Sequence, residues 1–210
     1  MHKVLKILLV TSGLTLFAGG LFSPIYAIFV ENIGGDILTA GIAYSIFAII
    51  AGVLTFIISR FEDKIKYRNA MIITGYALGC LGFLGYIFIK SPMHLFLVQI
   101  VFGLANAIKN PSWDATYSSH LDKKKSASEW GDWEGMALIV IGIASVIGSF
   151  IAQKLGFTIL FIIMFSISLL GLISSLFLLK TCKKEIKNTK KIPPRHHLHN
   201  DSIRKSPKRI

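Results

Sequence analysis

Charge is scarce in this sequence, and the scarcity is uneven. Only 16% of the 210 residues are charged, against about 25% in an average soluble domain. Long stretches hold no charge at all, and short ones hold nearly all of it. Such segregation argues against a soluble globule and for a bilayer, where charges and unpaired backbone groups find no partner. Cysteine is nearly absent. Cys80 lies in an apolar run and Cys182 in a basic tail, which excludes a disulfide framework or a cysteine-based metal site. The apolar runs contain no glycine-rich phosphate loop, nucleophile elbow or paired carboxylates, so an enzyme is not expected and neither is a cofactor. His196, His197 and His199 have no carboxylate or cysteine company, and no metal is expected there either.

What is present is apolar length. Crossing the hydrocarbon core takes about 20 apolar residues as a helix. Six runs approach or exceed that length, at about 6–30, 37–58, 70–89, 93–110, 135–153 and 157–179. They are called spans 1 to 6. The first begins like a signal peptide, MHKVLK followed by ILLVTSGLTLF, but its apolar character continues through GGLFSPIYAIFV, and it reads as an uncleaved span. The expected fold is an all-α membrane protein of six transmembrane helices over residues 1–180, followed by a tail over 181–210. That tail is basic, proline-containing and poor in apolar residues, a composition that predicts disorder.

The net charge of +12 would suggest nucleic acid in a soluble protein. Here topology accounts for it, since Lys and Arg collect in cytoplasmic loops. With both termini inside, the N-terminus (Lys3, Lys6), the loop 59–69, the loop 109–134 and the tail from Lys180 hold 21 of the 23 basic residues, leaving only Lys90 and Lys154 outside. The chain is therefore expected in the cell membrane, multi-pass, with lipid rather than nucleic acid as its surroundings.

The spans differ in what they display. Span 2 sets Gly41, Ser45, Ala48, Gly52, Thr55 and Ser59 at alternating steps of four and three, one helical face. Small residues on one face let another helix approach closely in lipid. Span 5 repeats the device with Gly135, Gly142, Ser145, Ser149 and Ala152, with Ala144 and Gly148 beside them. Span 6 is bulky almost all round and is expected to face lipid most. Spans 1 and 4 carry polar stripes instead: Ser12, Thr15, Gly19, Ser23 and Tyr26 in span 1, with Pro24 placed to kink the helix, and Gln99, Gly103, Asn106 and Asn110 in span 4. Polar groups at membrane depth either bond between helices or face a water-filled cavity. Two matching stripes favour the cavity, with Ser12, Thr15, Tyr26, Gln99 and Asn106 as its candidate lining. Trp113, Trp130 and Trp133 are read as anchors at the membrane interface.

The segment SRFEDKIKYRN after span 2 packs six charges into eleven residues. Its spacing, with small Ser59, Asp63 four residues on, then Lys64 and later Arg68, resembles the signature between spans 2 and 3 of the major facilitator superfamily. Lys66 and Tyr67 stand where that signature has glycine and a basic residue. Gly103 with Ala105 and Ala107 resembles the family's fourth span, with Gln99 in place of an arginine, and GMALIVIGIASVIGSFIAQKLGF resembles its glycine-rich fifth span. The resemblance, over residues 5–180, implies the N-terminal six-helix half of a transporter that moves a small solute by alternating access. It implies that spans 1 and 4 line the cavity, that spans 2 and 5 (Gly41, Ser45, Gly52, Gly142, Ser145, Ser149) meet a second half, and that spans 3 and 6 lie outside. It also makes the charged loop a conformational latch of Ser59, Asp63, Lys64 and Arg68, with Lys109 at the inner rim or a basic loop residue pairing with Asp63. Family members typically have twelve spans. Six leaves three expectations open: a homodimer of half-transporters, a separately encoded second half, or a truncated remnant or scaffold that does not transport.

Overall fold

The computed structural model describes residues 2–62 and 68–179, so Asp63 and Lys64 of the expected latch, and the tail with Cys182, lie outside the described residues. Every element among the described residues is helical, and six helical stretches are long and apolar enough to cross a membrane. Span 1 is broken: Lys3–Gly20 and Tyr26–Asn32 are joined by a 3-10 turn at Ser23–Ile25. Pro24 has no amide hydrogen to continue the helical ladder, and the chain tightens to three-residue bonds, Phe22 N–H to Gly19 and Ile25 N–H to Phe22. Span 2 is Ile37–Glu62, span 3 Arg68–Tyr86, span 4 Pro92–Ser119, span 5 Ser126–Leu155 and span 6 Phe157–Ser175.

Caps explain two of these boundaries. Asp36 accepts from the Thr39 amide at 2.7 Å and the Thr39 hydroxyl at 2.6 Å, starting span 2. The Thr39 hydroxyl and amide hold the Asp36 carboxyl below its ordinary range. Gly156, at φ +83°, turns the chain between spans 5 and 6 with a backbone that L side chains rarely adopt.

Spans 4 and 5 run further than their apolar lengths predict. The region 109–134, expected as a loop, is mostly helix, and only the stretch between Ser119 and Ser126 turns back. The reason is a buried aromatic contact below the apolar run. Trp113 stacks on Tyr117 at 4.9 Å, Trp133 lies 4.5 Å from Trp113, and Trp130 lies 4.8 Å from Tyr117. Trp113 is buried rather than anchored at a lipid surface. The Tyr117 hydroxyl donates to the Glu129 carbonyl, and the Glu129 carboxylate accepts from the Asp122 amide at 2.9 Å, closing the turn.

The helices pack in a simple scheme. Span 4 lies against spans 2 and 3, span 1 against spans 5 and 6, and spans 3 and 6 join the two sets, while spans 1 and 4 barely touch each other. Exchanging 1 with 4, 2 with 5 and 3 with 6 preserves these principal contacts, as expected of internal repeats in transporter folds. Burial follows the scheme. Only 6% of the apolar stretch of span 2 and 11% of that of span 5 is buried, against 33–44% in the other four. Span 6 is therefore not the most exposed span. Its Ser168, Gly171 and Ser175 form a buried seam that admits spans 1 and 3, an inward face that the surrounding bulk hides in the sequence.

Candidate functional site: a cleft between spans 1 and 4

Because spans 1 and 4 barely touch, a cleft opens between them, and the helix at its floor is span 3. Gly75 brings span 3 hard against span 4: a Cβ there would lie 2.4 Å from the Lys109 Cβ and 2.8 Å from the Ala105 carbonyl oxygen. Gly79, one turn on, meets nothing within 4 Å and leaves the floor open. The cleft holds a chamber of about 540 Å³ beside a smaller one of about 300 Å³ nearer the end of the bundle that carries the N-terminus. Thr15, Leu16, Asn106 and Lys109 line both. Span 3 is thus part of the cavity wall and not an outside helix, a placement its Gly75 and Gly79 make possible and its hydropathy does not reveal.

The structure places the five cavity candidates along these two chambers. Thr15, Tyr26, Gln99 and Asn106 line the larger chamber, and Ser12 and Thr15 the smaller. Their bonds show how the walls are tied. The Gln99 amide nitrogen donates to the hydroxyls of Tyr26 at 3.2 Å and Tyr86 at 3.1 Å, so one side chain links spans 4, 1 and 3. The Ser12 and Tyr76 hydroxyls bond at 2.7 Å, linking spans 1 and 3 at the other end of the cleft. Asn106 donates to the Phe102 carbonyl of its own helix at 3.2 Å, and its side-chain oxygen accepts from Asn110. Beyond Gln99 the cleft is closed by rings. Phe22 makes edge-on contacts with Tyr26, Phe29, Tyr86 and Phe161, at centroid distances of 5.0–5.5 Å.

Lys109 departs from its expected place. Its helix continues roughly three further turns to Ser119, so Lys109 stands in the cavity wall and not at the rim. Its Nζ lies 5.2 Å from the centroid of the Tyr76 ring. Of the other latch candidates, Ser59 is exposed near the end of span 2, its hydroxyl donating to the Phe56 carbonyl at 3.3 Å, and Arg68 opens span 3.

The expected interface residues divide. Gly41, Ser45 and Gly52 of span 2 are exposed, and a Cβ at Gly41 or Gly52 would meet nothing within 4 Å. Gly142 of span 5 is equally open. Ser145 and Ser149 are half-buried: Ser145 donates to the Ile141 carbonyl at 2.8 Å and reaches the Gly20 carbonyl of span 1 at 3.3 Å, and Ser149 donates to Ser145 at 2.9 Å. Beside them Gly148 seats the backbone of Leu21.

A broken first helix, a cleft lined from spans 1 and 4, and two unburied helices with open glycines are on hand, and residues 8–208 match the family model of the Major Facilitator Superfamily. The chain belongs to the major facilitator superfamily. Among its relatives in that family, YitZ of Bacillus subtilis, described as an MFS-type transporter, is 24% identical over 166 residues, covering 79% of this chain and 98% of YitZ. The quinolone resistance protein NorB of Staphylococcus aureus (strain bovine RF122 / ET3-1) is 32% identical over 165 residues, covering 75% of this chain and 34% of NorB. The chain thus spans about the whole length of the first relative and about a third of the second. Membership carries a multi-pass membrane location and a transporter role.

Proposed function

We propose that this chain is one six-span half of a secondary transporter that moves a small organic solute by alternating access, with a second six-span unit closing the cleft. The observation that carries the reading is the cleft itself. Five polar residues from two helices far apart in sequence line two neighbouring chambers that share Thr15, Leu16, Asn106 and Lys109, the larger of a size that suits a drug-sized ligand. The exposed small residues of spans 2 and 5 support a partner half, either a second copy or a separate chain, because in lipid such faces gain from close helix approach. The likeness to NorB, named for quinolone resistance, supports an organic solute over an inorganic ion. The distribution of 21 of 23 basic residues supports cytoplasmic termini in the cell membrane. Asp63 remains the proposed latch, with a basic residue of the loop, or of the second unit, as its partner in place of Lys109.

Sidedness tests the reading. With Cys80 and Cys182 replaced, Gly79→Cys places a thiol on the open floor of the cleft. Impermeant maleimide should label it from either face of a sealed vesicle, as the two halves rock about a central site. Labelling from one face only, in a chain that is a strict monomer in mild detergent, would leave a scaffold or remnant as the better reading.

A further inference from the structure

We infer that the larger chamber takes an organic monoanion: an aromatic solute whose carboxylate pairs with Lys109. The inference rests on reading the chamber as a solute site and adds the sign of the solute's charge.

Among the described residues lining the larger chamber, Lys109 is the one charged side chain, and no aspartate or glutamate is present there. Asp114 lines the smaller chamber, which Lys109 also lines, and its carboxylate acts on the Lys109 ammonium from that side, away from the larger chamber's lining. Two contacts fix the cation. Gly75 lets span 3 close on the base of the Lys109 side chain. The Tyr76 ring lies under its ammonium at 5.2 Å, and the Tyr76 hydroxyl is held by Ser12. A positioned positive charge in a partly desolvated cleft attracts an anion and disfavours a cation far more than it would in water. One ammonium, a point charge without the fork of an arginine, suits a monoanion better than a phosphate dianion, which calls for several donors. The opposite end of the chamber is ring-lined, by Phe22, Tyr26, Phe83, Tyr86 and Phe102. Edge and face contacts there favour an aromatic body. The chamber is thus polar and cationic at one end and aromatic at the other, matching an amphipathic aromatic acid in charge and polarity.

Three probes with one ring system separate charge from hydrophobicity: 2-naphthoate, the neutral 2-naphthamide, and the cation 2-naphthylmethylammonium. Their binding to the full chain in zwitterionic nanodiscs is measured by equilibrium dialysis. Naphthoate should bind about tenfold or more tighter than the amide, and the ammonium most weakly. Lys109→Gln should lower naphthoate to the level of the amide, while Lys109→Arg keeps the order. The inference fails if naphthoate does not bind at millimolar concentration, if the ammonium binds wild type as well as naphthoate does, or if Lys109→Gln retains the preference. Flux of naphthoate into sealed vesicles is scored separately. Selective binding without flux would remove the transporter reading and keep the anion site, whereas flux without charge preference would do the reverse.

Discussion

Gly148 in span 5 and Gly52 in span 2 stand in similar company, each within a run of small residues on a long apolar helix. Their surroundings are opposite. A Cβ at Gly148 would fall 1.8 Å from the Leu21 carbonyl oxygen and 2.4 Å from its carbonyl carbon, while one at Gly52 would meet nothing within 4 Å. The first glycine has been used to bring two helices of the same bundle together just before the break in span 1. The second is unused within this chain. A small-residue stripe therefore signals close approach without saying to what, and only the packing tells internal seams from faces left for another unit. Burial of the whole helices does not separate them, since spans 2 and 5 are both largely exposed.

Three changes would break or sharpen that contrast. Gly148→Ala has the largest expected effect, because the obstructing atoms are backbone and cannot rotate away. Overpacking at such a point should destabilise by about 3 kcal/mol, seen as a clear fall in the unfolding midpoint in mild detergent. A midpoint equal to wild type would mean that spans 1 and 5 are not so tightly joined. Gly52→Leu should leave that midpoint within about 0.5 kcal/mol of wild type, as surface changes do, while reducing cross-linked oligomer. Lost stability with normal oligomer would reverse the assignment of the two faces. The smallest effect belongs to Asp36, which lies in the connection outside the spans. Its carboxyl is held below the ordinary range by Thr39, so its contribution is present above the unfolded value, about 3.9, and is lost as pH falls through the lower folded one. Asp36→Asn should flatten the stability profile below about pH 4 and leave neutral pH unchanged; an unaltered acid limb would show that the cap carries no linkage.

Much of this architecture is legible from periodicity. Six apolar lengths gave six spans, Pro24 marked the break in span 1, and the polar stripes of spans 1 and 4 led to Thr15, Tyr26, Gln99 and Asn106 around one chamber. What stayed hidden depends on distances between helices. Hydropathy stops a span where polar residues begin, so it could not show that Trp113 and Tyr117 carry span 4 onward by packing against Trp130 and Trp133. For the same reason Lys109 looked like a rim residue. Span 3 shows no polar stripe, with Tyr76 and Tyr86 scattered among the glycines Gly75, Gly79 and Gly82, yet Gly75 and Gly79 make it the floor, because a missing side chain leaves no trace in a polarity pattern.

Gln99 has one further consequence, seen by following its protons. Its amide nitrogen carries two hydrogens, and the hydroxyl oxygens of Tyr26 and Tyr86 accept them. Each tyrosine thereby spends a lone pair on the protein and keeps its own O–H to give. The ring-lined end of the chamber consequently offers hydrogen-bond donors, and the ammonium of Lys109 offers more at the other end. A guest that accepts hydrogen bonds thus finds donors at either extremity of the chamber.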